Sequence, residues 1–358
     1  GEPKQFFHSY LVAYLFVVTI AVGALGFVLI QFVTRAGWSV AVRRIAENVM
    51  GTIPFFALLF IPLTAGLDQL YPWLDSAHVE HDPILQAKEP YLNGTFFYIR
   101  TVIYLVAWSG LAFWFRRQSV AQDQVGGTAI TRRLQTVSAP GIVVFAITLT
   151  FAAFDWIMSL DPHWYSTVFG VYIFAGAFMS NLAFLLLLVL ILQRFGLLTN
   201  IVNSEHIHDL GKLMFGFVVF WAYIAFSQFM LIWYANIPEE TLWYAHRWHH
   251  GWQYASILLA VGHFCFPFFL LLSRSAKRNR GVLVLATIWL LFMHYLDLYW
   301  LVMPGFQTEG LHPHVLDLLT FVGIAGLSFA LVLQLMMKPS LVPTQDPRLA
   351  ESLSFENM

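Results

Sequence analysis

Residues 142–157 read IVVFAITLTFAAFDWI, and the segment DPHW follows at 161–164. The first run is apolar enough to enter a bilayer, yet it carries a carboxylate, Asp155, near its end. A charge facing lipid is costly, and charges inside membrane helices usually face protein and find a partner. The reading of Asp155 therefore decides what kind of fold this is.

Composition points to a membrane protein. Of 358 residues, 59% are hydrophobic and 11% charged, with 34 Phe and 13 Trp. Soluble domains run at about 45–50% apolar and about 25% charged. The excess lies in blocks longer than about 18 residues, the length that crosses a bilayer as a helix. The expected fold is an all-α polytopic membrane protein; a solenoid of buried helices fits the composition poorly. Nine spans are predicted, at about 7–33, 43–66, 94–115, 137–160, 166–193, 212–235, 250–273, 281–303 and 313–337. The lone Cys265 reads as helix packing and carries no disulfide argument.

Charge sets the orientation. All but four of the 19 Lys and Arg fall in the odd-numbered loops and the tail, the exceptions being Lys4, Lys88, Arg100 and Arg247. Basic residues gather on the cytoplasmic side, so the odd-numbered loops and the C-terminus are expected there. The opposite loops, LDSAHVEHDPILQAKEP and NIPEETLWYAHRWHH, are acidic, aromatic and His-rich. This orientation puts Gly1 outside. The sequence does not start with Met and shows no signal peptide, so an upstream span or a cleaved leader is expected. The net charge of -1 offers no field for nucleic acid; membrane lipid is the expected surrounding.

Weak similarities recur in a common order. Tyr14 and Phe16 of span one match Tyr172 and Phe174 of span five; Met50-Gly51 matches Phe215-Gly216; Gly94 matches Gly251; FDWIM matches LDLYW, aligning Asp155 with Asp297. The order predicts two parallel-related four-helix bundles, 1–160 and 161–304, with a ninth helix and tail at 305–358.

Helix rise then gives depth. Asp155 lies about 7 Å from the outer end of span four, and Arg100 about 9 Å below the same surface in span three. An Arg100–Asp155 pair is expected. Asp297 sits about 9 Å below the outer end of span eight. The repeat places Ile257, not a cation, opposite it, and His294 is its nearest polar neighbour on the helix. Burial without a cation disfavours a charged carboxyl, so Asp297 is a candidate to carry a proton. A polar stripe at Tyr223, Ser227 and Tyr234, with Gln228 alongside, extends the candidate path in span six. Lys212 marks its inner end, and Glu47, Asn48 and Thr52 open span two. Taken singly, each Tyr or Ser is better explained by interhelical hydrogen bonding.

His263 and His294 lie in neighbouring spans, but their depths of about 20 Å and about 13 Å argue against a shared haem. The absence of C-x-x-C-H and of a cysteine cluster excludes covalent haem and iron–sulfur sites. The outer histidines, His78, His81, His163, His246, His249, His250, His312 and His314, read as interfacial polar groups, and no metal site is expected.

The segments FFHSYLVAYLF, RAGWSVAVRRIAE, DWIMSLDPHWYSTVFGVYIFAGAF and HDLGKLMF resemble the ActF family of membrane subunits of bacterial alternative complex III, a quinol-oxidising assembly. Its wider relatives are the polysulfide reductase and NrfD-like membrane subunits. The resemblance covers nearly the whole chain and implies two four-helix bundles within a ten-span pattern, one span more than the nine seen. It implies a non-redox subunit of the bacterial inner membrane that binds no cofactor itself and contributes a proton path. Menaquinol or ubiquinol would serve the complex, with haem c and iron–sulfur clusters on partner subunits. The implied partners are an ActC-like homologous membrane subunit, an iron–sulfur protein and a multihaem cytochrome c. Asp155, Trp156 and His163 are then candidates to touch a quinone. Three other readings stand beside this one: the quinol-binding ActC-like subunit of the same complex, a proton or solute secondary transporter, and a structural spacer with no proton chemistry.

Overall fold

A computed structural model describes residues 2–356, apart from the side chain of His78. Gly1, on which the expectation of an upstream segment turned, lies outside the described residues. The described chain is helical throughout, with no strand. Nine of its helices are long and apolar enough to cross a membrane. They are Glu2–Val33, Val40–Thr64, Gly94–Val125, Thr128–Leu160, Phe169–Arg194, Ser204–Ala235, Trp252–Leu271, Arg280–Val302 and Val315–Met337, spans one to nine. Each falls on an expected apolar run; spans three, four and six continue well past theirs at the arginine-rich end.

Local chemistry sets the ends. Asn93, Asn203 and Asn279 cap spans three, six and eight, each side-chain oxygen accepting a backbone N–H of the first turn, as capping residues do. Span three stops at Gly126, whose φ of 68° a side chain would resist. Span two is interrupted by a turn at Gly51–Thr52. Span seven carries a π-helical segment, Leu259–Cys265, just before Pro267. Proline supplies no N–H to the carbonyl four residues back, here His263, and widened turns are one way a helix absorbs that loss.

Spans one and five form the centre. Their most apolar stretches are 94% and 78% buried, against 28–56% for the other seven. They meet backbone to backbone: a Cβ at Gly23 would lie 2.2 Å from the Ala177 carbonyl oxygen. Small residues that let helices approach this closely are characteristic of membrane interfaces. Span one neighbours spans two and four, and span three closes the circuit between them. Spans five to eight repeat that order of neighbours, with five against six and eight, and seven between those two. The sets meet where span one touches five and eight, and where spans two and four touch five. Span nine lies against spans one and two.

At the arginine-rich end the tail is tied down by buried charge. Arg43 reaches Glu47 (3.3 Å) and Asp346 (2.5 Å), while Arg44 reaches Glu47 (2.9 Å) and Asp123 (2.7 Å). Ser352 Oγ donates to the Trp38 carbonyl at 2.7 Å.

Candidate functional site

Span four ends in a saturated carboxylate. Arg100 donates to Asp155 from Nε (2.7 Å) and Nη2 (3.0 Å), and the Tyr104 hydroxyl adds a third bond at 2.6 Å. The guanidinium lies between the rings of Tyr91 and Phe96, 3.9 and 4.2 Å from their centroids. A bidentate arginine fork that also stacks on aromatic faces is well matched to a buried carboxylate. Tyr71 and Trp73 of the loop after span two donate to the Trp156 and Ser159 carbonyls.

DPHW continues this clamp. The Pro162 carbonyl accepts from Lys88 at 2.5 Å. Trp164 stacks on Trp243 at 4.3 Å and 13°, joining the end of span four to the loop before span seven. Hydrogen bonding from His163 (2.5 Å) is the largest influence holding the Asp82 carboxyl below its ordinary range, with the Ile84 and Leu85 amides helping.

The expected quinone contacts do not form one site. Both oxygens of Asp155 are taken. Trp156 is buried against Tyr14, Phe60, Tyr104 and Trp108, and the cavity beside it holds about 20 Å³, room for a water and no more. The His163 side chain is half exposed at the surface, paired with Asp82. The packing of this aromatic cluster leaves no space for a ring.

The second carboxyl is built differently. Asp297 of span eight is buried, and its partners among the described residues are neutral. The Tyr172 hydroxyl of span five donates to Oδ1, and Trp221 Nε1 of span six donates to Oδ2 at 3.2 Å. His294, expected beside it, turns away: its Nε2 meets Thr19 Oγ1 of span one at 2.8 Å. His263 of span seven packs its ring 3.8 Å from that of Trp221. A Cβ on Gly176 would touch the His294 ring at 3.3 Å and Trp221 at 3.8 Å. Tyr172, Trp221, His263, His294 and Asp297 thus form one cluster drawn from spans five to eight. Both ring nitrogens of His263 and Nδ1 of His294 have no hydrogen-bond partner among the described residues.

Five path candidates lie elsewhere. Tyr223 is 64% exposed and Tyr234 84%; they and the half-buried Ser227 do not face the cluster, and span six turns Trp221, Ile224 and Gln228 inward instead. Glu47 does not open to solvent, being fully buried between Arg43 and Arg44. Lys212 pairs with Asp209 at 2.5 Å at the end of span six.

Sequence reasoning missed several groups. Tyr172 was visible only as half of a repeat motif. Trp221 was hidden among apolar residues, where an indole N–H carries no pattern. Asp317 is a further buried carboxylate, bonded by Gln5, Ser9, Tyr299 and the His314 amide. It closes a capping box at the start of span nine, where the helix dipole favours an anion. Arg247, counted as a loop residue, is buried; it donates to the Trp243, Trp300 and Leu301 carbonyls and lies 3.5 Å from the Trp243 ring centroid.

Spans six and seven part around a cleft of about 910 Å³. Tyr172 and Trp221, the donors to Asp297, stand in its wall, together with Gln228, Tyr244, Arg247 and Trp300. Among the described residues no group of three or more His, Cys, Asp or Glu side chains is arranged to hold a metal ion. No protein-family model and no curated protein matches the chain.

Proposed function

We propose that this chain is an integral membrane subunit of an alternative complex III-type quinol oxidoreductase, in which the cluster around Asp297 handles protons. The carrying observation is the contrast between two carboxyls in corresponding spans. Asp155 is held by a guanidinium fork; Asp297 is held only by a phenol and an indole. Nothing in the second site fixes the carboxyl as an anion. A tyrosine hydroxyl can donate to a carboxylate or accept from a carboxylic acid, whereas an indole only donates. Tyr172 can therefore serve either protonation state of Asp297. The unpartnered nitrogens of His263 and His294 extend the group with atoms able to bond water. Intramembrane chains of carboxyl, histidine and tyrosine groups suit proton relays. Asp317 differs, because four donors and a helix N-terminus surround it.

On this reading the protein lies in the bacterial inner membrane with its arginine-rich end in the cytoplasm, since its basic residues gather at that end. It would stand beside a homologous ActC-like membrane subunit, an iron–sulfur protein and a multihaem cytochrome c. Those partners would hold the redox centres and a menaquinol or ubiquinol pool would supply electrons. A secondary transporter is the second reading, favoured by the π-helical interruption of span seven, since transporters use broken helices at their sites. Purification from native membranes separates the two. A subunit of the complex copurifies with haem c and iron–sulfur partners in fixed ratio; a transporter is recovered without them.

A further inference from the structure

We propose that the outer face of the hairpin formed by spans three and four, at the arginine-rich end, binds an anionic phospholipid through Arg117, Arg132 and Arg133. Charge is the first observation. From Phe113 to Val137 the hairpin carries four arginines and a single carboxylate, Asp123. That carboxylate is taken by Arg44 at 2.7 Å. Arg116 turns inward, its Nε donating to Asn48 Oδ1 and its Nη2 to the Leu335 carbonyl, both at 3.1 Å. Arg117, Arg132 and Arg133 turn outward. All three are exposed, and none has an ion-pair partner among the described residues. Like charges gathered without a counter-ion repel one another and draw an anion from outside.

Depth identifies the anion as a lipid headgroup. The apolar run of span three ends near residue 115 and that of span four begins near 137. By helix rise, Arg117, Arg133 and Arg132 stand about 3, 6 and 8 Å beyond those edges. The headgroup layer is about 5–7 Å thick on each side of the hydrocarbon, so the three lie within it or at its rim. Beneath them Val106, Phe113, Val143 and Ile147 are each more than half exposed, a flank for acyl chains. Ring contacts then hold two of the cations in place. The Arg133 guanidinium crosses from span four to lie 5.5 Å from the Trp114 ring centroid, and that of Arg117 lies 5.9 Å from Phe113. A guanidinium resting on a ring face keeps its in-plane N–H donors free, and that edge grips phosphate oxygens in pairs. A choline headgroup would bring its own cation against these arginines, so a net anionic headgroup is favoured. None of this depends on proton chemistry at Asp297.

The test is lipid binding to the full chain in detergent, read by native mass spectrometry as lipid concentration rises. The probes are dioleoylphosphatidylglycerol, dioleoylphosphatidylcholine and inorganic phosphate. The glycerol lipid is expected to bind at least about tenfold more tightly than the choline lipid, and excess inorganic phosphate should not displace it. Arg117→Gln combined with Arg133→Gln should weaken it about thirtyfold, at about fivefold for each arginine beside anionic lipid. Arg194→Gln removes an arginine exposed at the same end of span five and should change the affinity by less than about twofold. Equal affinity for the two lipids, or no loss in the double variant, would overturn the proposal. An equal loss in Arg194→Gln would overturn it too, leaving a diffuse field in place of a site, as would displacement by inorganic phosphate. A photo-crosslinker installed at the exposed Thr136, one turn from Arg132 and Arg133, should label phospholipid in native membranes. Labelling of a partner protein there instead would contradict the lipid assignment. That arm keeps all three arginines, so the proposal stays testable even if the double variant fails to fold.

Discussion

Arg100 holds Asp155 through two parallel hydrogen bonds, at 2.7 and 3.0 Å, across 55 residues of sequence and between two neighbouring spans. The pair explains why a carboxylate ends an otherwise apolar run. It joins spans three and four near the end where the loop after span two folds over them. Removing one partner leaves the other charge buried and alone, which typically costs about 3–5 kcal/mol.

Asp155→Asn is accordingly expected to lower the yield of folded chain and its thermal stability in detergent by that order. Tyr104→Phe removes one bond to a charged group and should cost about 1.5–3 kcal/mol. Thermal unfolding of both variants checks the ranking; equal stability of Asp155→Asn and wild type would contradict it.

Gly23→Ala should damage the centre of the molecule although it adds one methyl group. That methyl would sit 2.2 Å from the Ala177 carbonyl oxygen, so spans one and five must separate. Overpacking of this kind costs about 1–3 kcal/mol or more. Gly216→Ala, where nothing lies within 4 Å of the new atom, is the control and should be silent in the same melt.

The tail anchor gives a third expectation. Asp346→Asn weakens the 2.5 Å contact with Arg43 while Glu47 still serves that arginine. Losing a bond to a charged group costs about 1.5–3 kcal/mol, so protease cleavage after residue 338 should rise about tenfold or more, because cleavage follows local opening. Unchanged cleavage would show that Ser352 and its neighbours hold the tail alone.

Asp82 supplies a pH test outside the spans. Its folded carboxyl is held below the ordinary value of 3.8, first by His163 and also by the Ile84 and Leu85 amides. A lowered acid contributes in full above its ordinary value and loses that contribution as pH falls toward and past the lowered one. Protection of the Ile84 and Leu85 amides from hydrogen exchange should therefore hold at pH 5 and decline below 3.8. Protection unchanged well below 3.8 would contradict it.

The spans were legible because hydrophobic length is a one-dimensional quantity. Depth was legible too, since rise per residue is fixed, and Arg100 met Asp155 at the level counted for both. Rotation was not. Tyr223 and Trp221 are two residues apart on a helix whose apolar residues run all round it, and no period tells which faces protein. Glu47 shows a second limit: its helix neighbours Arg43 and Arg44 also bind Asp346 and Asp123 from distant segments, and no local spacing announces those. Trp221 and the orphaned oxygen of Gln228 required the assembled helices.

We propose above all that Asp297, bonded by the neutral donors Tyr172 and Trp221, handles a proton for the complex. The most direct measurement is proton translocation per quinol oxidised by the intact complex in sealed vesicles, comparing wild type with Asp297→Asn. The account requires the variant to assemble in normal yield, since an amide replaces a carboxyl with neutral partners. Its proton ratio should fall to that released by quinol oxidation alone. A fully assembled Asp297→Asn complex with an unchanged ratio would contradict it.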